Sequence, residues 1–519
     1  MLAICAATLG LSAASAYHPK SAKSGLPPIA ATSDTATRIR NVEGGIDAVE
    51  FATGTAPAPV NIETLMGSYH VPGMSVAVID NFKIAWTKQY GVIEPGSKQP
   101  VTPKTLFQAG SISKPVAATG MMVLVQNGKL SLDEDVNVKL KTWSVPENEF
   151  TKNQKVTLRR LASHSAGLTV HGFPGYDVDE KIPTLKQILD GEKPANTEPV
   201  RVDFVPGSDE RYSGGGITIE QLLMMDVSGK PFPALLSESV LEKIGMTDSS
   251  YEQPLPANRA AFTAGGDNGN GTPVHAKWHV YPEMAAAGLW TTPTDLAKFV
   301  VEIALSERGK SNKVLSQASV HEMLTRQSKN FGIGFALAEN RSGEFGHDGA
   351  DEGFQAILVM NYETGQGAAI MANSNNGINV ALEYLRSIAK EYAWKYPRDP
   401  RSVGMQIELV ARLKSVDAAL ARYDEMKKSS DPKMRPQENV LNGVGYDFMR
   451  ENKIDETIRF FQKNVQEFPE SSNVYDSLGE AYAAAGKKDL AIENYEKSIK
   501  LDPKNENGIR RLKKLKGEQ

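Results

Sequence analysis

Ser111 and Lys114 stand three residues apart in the segment Phe107 to Val116. On a helix that spacing is about one turn, so the lysine amine can point at the serine hydroxyl. A serine is a poor nucleophile at its ordinary pKa and needs a base beside it. A lysine serves as that base only when burial or neighbouring charge keeps it neutral. By itself the pair is a weak signal, since Ser-x-x-Lys recurs by chance in a chain of 519 residues. Other candidates are weaker. His321 and Glu322 begin an H-E-x-x-H pattern that Thr325 breaks. His275 and His279 are spaced for one helix face, but Pro273 and the glycines before it place them in a loop without a third ligand. No metal is expected. The chain has no G-x-S-x-G turn and no phosphate-binding glycine loop, which sets aside α/β-hydrolases and nucleotide enzymes, and no cofactor is expected.

The surroundings of the pair give it weight. Lys104 to Gly110 leads into the serine. Residues 156–168 run from Val156 through His164 and Gly167 to Leu168. Pro206-Gly207 and Arg211-Tyr212-Ser213-Gly214 follow, then Ala287-Gly288-Leu289 with Thr294-Asp295-Leu296, and finally Phe345 to Ala350 before a strand pattern. In order, spacing and setting these resemble the serine penicillin-recognising enzymes, on the branch of class C β-lactamases and their D-Ala-D-Ala carboxypeptidase and esterase relatives. The resemblance covers residues 55–395. It implies an α+β fold of the β-lactamase/transpeptidase type: an antiparallel sheet flanked by helices, plus a helical lobe, with the site between them.

Carried over residue by residue, the resemblance makes Ser111 the acylated nucleophile and Lys114 its base or base partner. Tyr212 would shuttle the proton to the leaving group. The backbone N–H groups of Ser111 and Ala350 would form the oxyanion hole. Gly349 would leave the strand edge open to the substrate backbone. Two positions depart from the family. Gly214 stands where an asparagine often holds the substrate's acyl-side carbonyl, and His347 replaces the lysine of the strand triplet. An ordinary imidazole is mostly neutral at pH 7, so the site lacks a permanent cation for a substrate carboxylate. Both departures argue against a dedicated β-lactamase and leave D-amino-acid peptidases and esterases. His347 is expected to shape the pH profile between about 5 and 8. His164 reads as a buried hydrogen-bonding residue.

These residues must be held by a scaffold. Asn61 to His70 reads as a short helix closed by Pro72-Gly73, and 74–79 with 83–90 as a hairpin around Asp80-Asn81. Helical patterns cover 115–127 and 294–306; strand patterns return at 354–360 and 367–371, before a helix over 378–394. Strands at both ends with helices between imply termini sharing one sheet, in a hydrolase domain over 56–395. Tyr396 to Pro400 reads as a linker. Beyond it, Gly445 and Gly479, Phe461 and Tyr495, and Pro469 and Pro503 each recur after 34 residues. This period resembles tetratricopeptide repeats and defines a helical domain over 405–519. Residues 418–423 read as the end of a degenerate earlier unit. A domain whose helices bury their faces between repeats is expected to be separable, and its concave surface suits a protein partner.

Residues 1–16 are apolar and then small, ending in Ala14-Ser15-Ala16, and read as a signal peptide for export to a periplasm. The expected basic start of such a peptide is missing, which points to a weak signal or a start further upstream. Residues 17–55 read as a flexible leader. Cleavage would remove Cys5, the only cysteine, and with it any disulfide or thiolate chemistry. With 40% hydrophobic and 23% charged residues and a net charge of −4, the chain is globular and offers no basic surface for nucleic acid. No apolar run after the leader nears the ~18 residues of a membrane span. The substrate class open to this chemistry is small peptides, peptidoglycan fragments or esters. The competing reading is a catalytically weak scaffold built on the repeats.

Overall fold

A computed structural model of the chain describes residues 35–394 and 401–517. The expected signal peptide, residues 17–34 of the leader and the linker at 396–400 lie outside the described residues. Among the described residues there are eight strands, numbered here in chain order: β1 (Gly73–Asp80), β2 (Lys83–Gly91), β3 (Phe107–Gln108), β4 (Trp290–Thr291), β5 (Ala336–Leu337), β6 (Glu344–Asp351), β7 (Phe354–Asn361) and β8 (Gln366–Ala372). Six form one antiparallel sheet in the order β2-β1-β8-β7-β6-β5, while β3 and β4 pair separately. The β1–β2 turn closes through Asn81 and Phe82, both at positive φ. β1 pairs with β8 from Met74↔Ala372 to Ile79↔Gly367, so the two ends of the domain do share one sheet.

Strand side chains alternate between faces, so each face of this sheet needs its own cover. On one face Ala356, Leu358 and Met360 of β7 pack with Ile112, Val116, Met121 and the helical lobe. On the other, Ile357, Ile370, Val76 and Val78 pack under the helix Gly377–Glu391. This second core continues into Ile407, Val410, Leu441, Val444 and Phe448 of the C-terminal helices.

Two expectations are corrected here. Residues 35–55 are not a free leader. Thr35–Gly44 is a helix whose Val42 is buried in the outer core, and Ser387 donates to the Val42 carbonyl. Arg401 donates to the carbonyls of Asp47 and Ala48 while pairing with Glu383, and Arg422 pairs with Glu50. Composition hid this helix because it carries few apolar residues and depends on its neighbours. Nor are the C-terminal helices self-contained. The pair Val403–Leu413 and Val416–Met426 completes the core on the outer face of the sheet. The Arg412 guanidinium, 1% exposed, pairs with Glu408 and Glu451, donates to the Ser68 carbonyl at 3.1 Å and lies 4.2 Å over Tyr69.

The later repeats do follow the sequence period. Glu438–Arg450 with Ile454–Glu467, and Ser472–Ala484 with Lys488–Leu501, are helix pairs capped by Glu506–Lys516. Gly445 lies against the Phe461 ring and Gly479 against Tyr495, each leaving room for the aromatic of its own unit. Ile458, Phe461, Leu478 and Tyr495 form a core of their own, whereas Leu441, Val444, Phe448 and Phe460 of the first pair belong to the sheet's outer core.

Ending the chain at Tyr396 is therefore expected to unfold the hydrolase rather than release it. Each fully buried apolar side chain contributes roughly 1.5–3 kcal/mol, against a net stability of about 5–15 kcal/mol. Solubility and thermal unfolding of the fragment 1–396 test this; a soluble, cooperatively melting fragment would show the two parts to be independent. Ending near residue 470 should leave the hydrolase folded.

Candidate active site

Ser111 lies in a 3-10 turn, Gly110–Ile112, that runs directly into the helix Ser113–Gln126. Twelve of that helix's residues are buried, so it threads the core and fixes the turn at its head. Lys114 sits in its first turn, and its Nζ donates to Ser111 Oγ at 2.8 Å and to the Ala286 carbonyl at 2.8 Å. The sequence spacing thus brings the two groups together. Burial pushes the amine down to about 7, against a smaller opposing pull from Asp351. Asp351 is itself buried, and burial raises its carboxyl well above the usual range, as it raises that of Glu283 to about 8. Neither is a fixed counterion.

Tyr212 faces the same two residues. Its ring lies 5.0 Å from Lys114 Nζ, and its phenol interacts with the Ser111 hydroxyl. Burial raises its pKa, so it carries its proton at neutral pH. The ring is held among His164 at 4.1 Å, His171 at 4.9 Å, Phe331 at 5.9 Å and His347 at 6.0 Å. His164 accepts from the Ser213 N–H through Nδ1, the part expected of it. His171 and Phe331 escaped the sequence reading; both lie in irregular segments with no periodic pattern to mark them.

β6 forms the opposite wall. β5 pairs only with its first part, at Phe345 and Gly346. Further along, Gly349 and Gly110 let two backbones touch: a Cβ on Gly349 would collide with the Ala109 carbonyl, and one on Gly110 with Ala350 N. Gly110 also has φ +51°, a region that favours glycine. Ala350 is thereby placed beside the turn that carries Ser111. Ala350 is exposed, Gly349 buried. The role expected of Gly349 shifts accordingly: it seats the strand against the turn that carries Ser111.

Two further site expectations change. Gly214 begins the helix Gly214–Ser228 and is buried, with a Cβ there meeting Phe173 at 3.0 Å and the His171 carbonyl at 3.2 Å. It has no open face for a substrate, because the 171–173 segment folds over it. His347 is also buried, with Nδ1 on the Asp348 carbonyl at 2.6 Å and Nε2 without a protein partner. Burial, helped by the Lys114 charge, pushes it down to about 3, so it is a neutral imidazole from pH 5 to 8. The titration expected of His347 in that window belongs to Lys114.

Comparisons with known proteins establish the family and the fold. The beta-lactamase family model matches residues 60–392, more than half of the chain, and the chain belongs to that family. A tetratricopeptide repeat matches residues 472–505. A beta-lactamase of Pseudomonas fluorescens is 32% identical over 259 residues, 50% of this chain and 66% of that protein. Penicillin-binding protein 4 of Amycolatopsis lactamdurans is 25% identical, covering 66% of this chain and 93% of its own. Protein flp of Staphylococcus aureus is 23% identical, covering 59% and 60%. The chain thus spans slightly less than two thirds of the Pseudomonas and Staphylococcus proteins. The octameric penicillin-binding protein homologue from Pyrococcus abyssi shares the fold with a TM-score of 0.53 at 23% identity, over 63% of this chain and 76% of its own. Among the described residues no helix is long and apolar enough to cross a membrane.

A base that must lose its proton near pH 7 sets the direction of the pH profile. Any turnover that uses Lys114 should rise with pH through about 7, as the amine becomes neutral. His347→Gln should leave that limb within about half a unit, because His347 titrates far below it. A limb displaced by a unit or more in this variant would return the titration to His347.

Proposed function

We propose that the protein is a serine hydrolase working through an acyl-enzyme on Ser111, acting on small peptides, peptidoglycan fragments or esters. The observation that carries this reading is the buried Lys114 amine, depressed to about 7, within 2.8 Å of Ser111 Oγ. Lys114 takes the hydroxyl proton as the serine oxygen adds to the substrate carbonyl. The oxyanion so formed is met by the backbone N–H groups of Ser111 and Ala350, a reading supported by the close approach of Gly110 to Ala350. Tyr212, held as a neutral phenol, passes its proton to the departing group as the tetrahedral intermediate collapses, and Lys114 returns the serine's proton to Tyr212, which leaves the amine neutral again. Water then attacks the ester on Ser111, with Lys114 again accepting a proton. With Nδ1–H donated to the Asp348 carbonyl, the neutral His347 accepts a hydrogen bond through Nε2 without adding charge.

A neutral His347 favours peptidase or esterase chemistry over a class C-like β-lactamase, whose substrates carry a carboxylate. The scaffold reading has no comparable support, since nothing in a binding module calls for a buried lysine on a serine. Export to a periplasm and a protein partner on the repeats belong to this proposal as its setting.

Incubation with a fluorophosphonate and, separately, with a penicillin, followed by intact-mass measurement, should show one covalent adduct that Ser111→Ala abolishes. Loss of turnover in that variant should approach the millionfold seen when serine nucleophiles are removed, roughly 10⁶. Lys114→Ala should fall nearly as far. Adduct formation that persists without Ser111 would overturn the assignment.

A further inference from the structure

The proposed site is unusual in its charge. Lys114 is half-neutral near pH 7, His347 is neutral, and burial raises the carboxyls of Asp351 and Glu283. One charged group remains at its edge. Asp348 lies between His347 and Gly349 on β6, in the stretch that β5 leaves unpaired. Strand alternation sends His347, Gly349 and Asp351 toward the nucleophile helix and puts Asp348 with Ala350 on the exposed side.

Three observations single it out. Its carboxylate has no hydrogen-bond or ion-pair partner among the described residues, whereas neighbouring Glu352 is engaged by Asn375. It is near enough to Tyr212 to raise the phenol's pKa. And it lies two strand residues from Ala350, about 6.6 Å at the usual rise. The side chain is exposed but crowded by protein, which pushes its carboxyl up to about 6 and leaves it ionised at neutral pH. An uncompensated anion at a crowded, partly dry edge attracts a cation and repels a carboxylate more strongly than it would in open water.

We infer that Asp348 selects the substrate's charge: the site takes acyl compounds bearing a protonated amine a few bonds from the scissile carbonyl, and disfavours those with a carboxylate there. This rests on the hydrolase reading above and narrows it toward peptides or esters with a free amino group. The substrate lies along the 347–350 edge, its carbonyl oxygen toward Ala350 N and its ammonium toward the Asp348 carboxylate. No group other than the scissile bond changes covalently.

Thioesters of matched length test the idea, with either the acyl or the thiol half ending in an ammonium, a methyl or a carboxylate group. For the half that passes Asp348, kcat/KM should be at least tenfold higher for ammonium than for methyl, and lowest for carboxylate. Asp348→Asn should bring the three within about threefold, and Asp348→Lys should invert their order. Unchanged melting of both variants separates this from misfolding. A wild-type enzyme indifferent to charge on both halves, or an ordering that survives in Asp348→Asn, would overturn the role of Asp348. Absence of thioester turnover together with absence of fluorophosphonate labelling would instead overturn the hydrolase reading on which it rests.

Discussion

Lys114 is buried with two neutral partners, the Ser111 hydroxyl and the Ala286 carbonyl, and the nearby Asp351 carboxyl is itself raised by burial and opposes the depression of the amine only in part. Water solvates an ammonium far better than such a pocket, so the folded protein holds the proton on this amine less tightly than the unfolded chain does. The folded pKa near 7 lies below the ordinary 10.5, so the folded state binds fewer protons between those values. Stability contributed by this site therefore increases as pH rises from about 7 toward 10.5, and is at its lowest below 7. The chain bears this cost and so holds an amine that is half-neutral near physiological pH. The surrounding features follow from it. The helix Ser113–Gln126 must be almost wholly buried to keep water from the amine, and a neutral His347 avoids adding a second charge to the same pocket.

The second requirement is backbone proximity. Ser111 and Ala350 are 239 positions apart in sequence, and only close contact of their two segments can set their N–H groups side by side. Gly110 and Gly349 provide that contact from opposite sides, each at a point where a methyl group would strike the other segment's backbone. Sequence reading identified Ser111, Lys114, Tyr212, His347 and Ala350 through motif order, because each sits in a short signature. It expected the strand after Ala350 but not β6 itself. That segment, with Gly346, His347, Asp348, Gly349 and Asp351, has poor strand propensity and forms because β7 pairs with it along its whole length. Asp351, His171 and Phe331 were missed for a related reason: their importance comes from burial or ring contact, which local patterning does not carry.

Protonation states were less legible than positions. From sequence, His347 is a group with an ordinary pKa, and nothing in its neighbours along the chain shows otherwise. What lowers it is removal from water together with Lys114, a residue 233 positions earlier. The same holds for Gly214. Its place beside Tyr212 suggested an open substrate contact, yet the cover from Phe173 comes from a loop some forty residues upstream.

The outer face of the sheet explains why the repeat region is joined so firmly to the rest. A six-stranded sheet with a helical lobe on one side leaves Val76, Val78, Ile357 and Ile370 to be covered on the other. The helix Gly377–Glu391 covers part of it, and the helices from Val403 to Arg450 enlarge the same core. Polar ties close the seam: Asn376, just beyond β8, donates to Glu451, to the Tyr69 carbonyl and to the Gly269 carbonyl. Glu451 in turn holds Arg412. Only the later helix pairs, with their own core around Phe461 and Tyr495, are built as repeats in the sense the 34-residue period implied. A partner bound there would therefore meet a surface anchored to the hydrolase through a continuous buried seam rather than through a hinge.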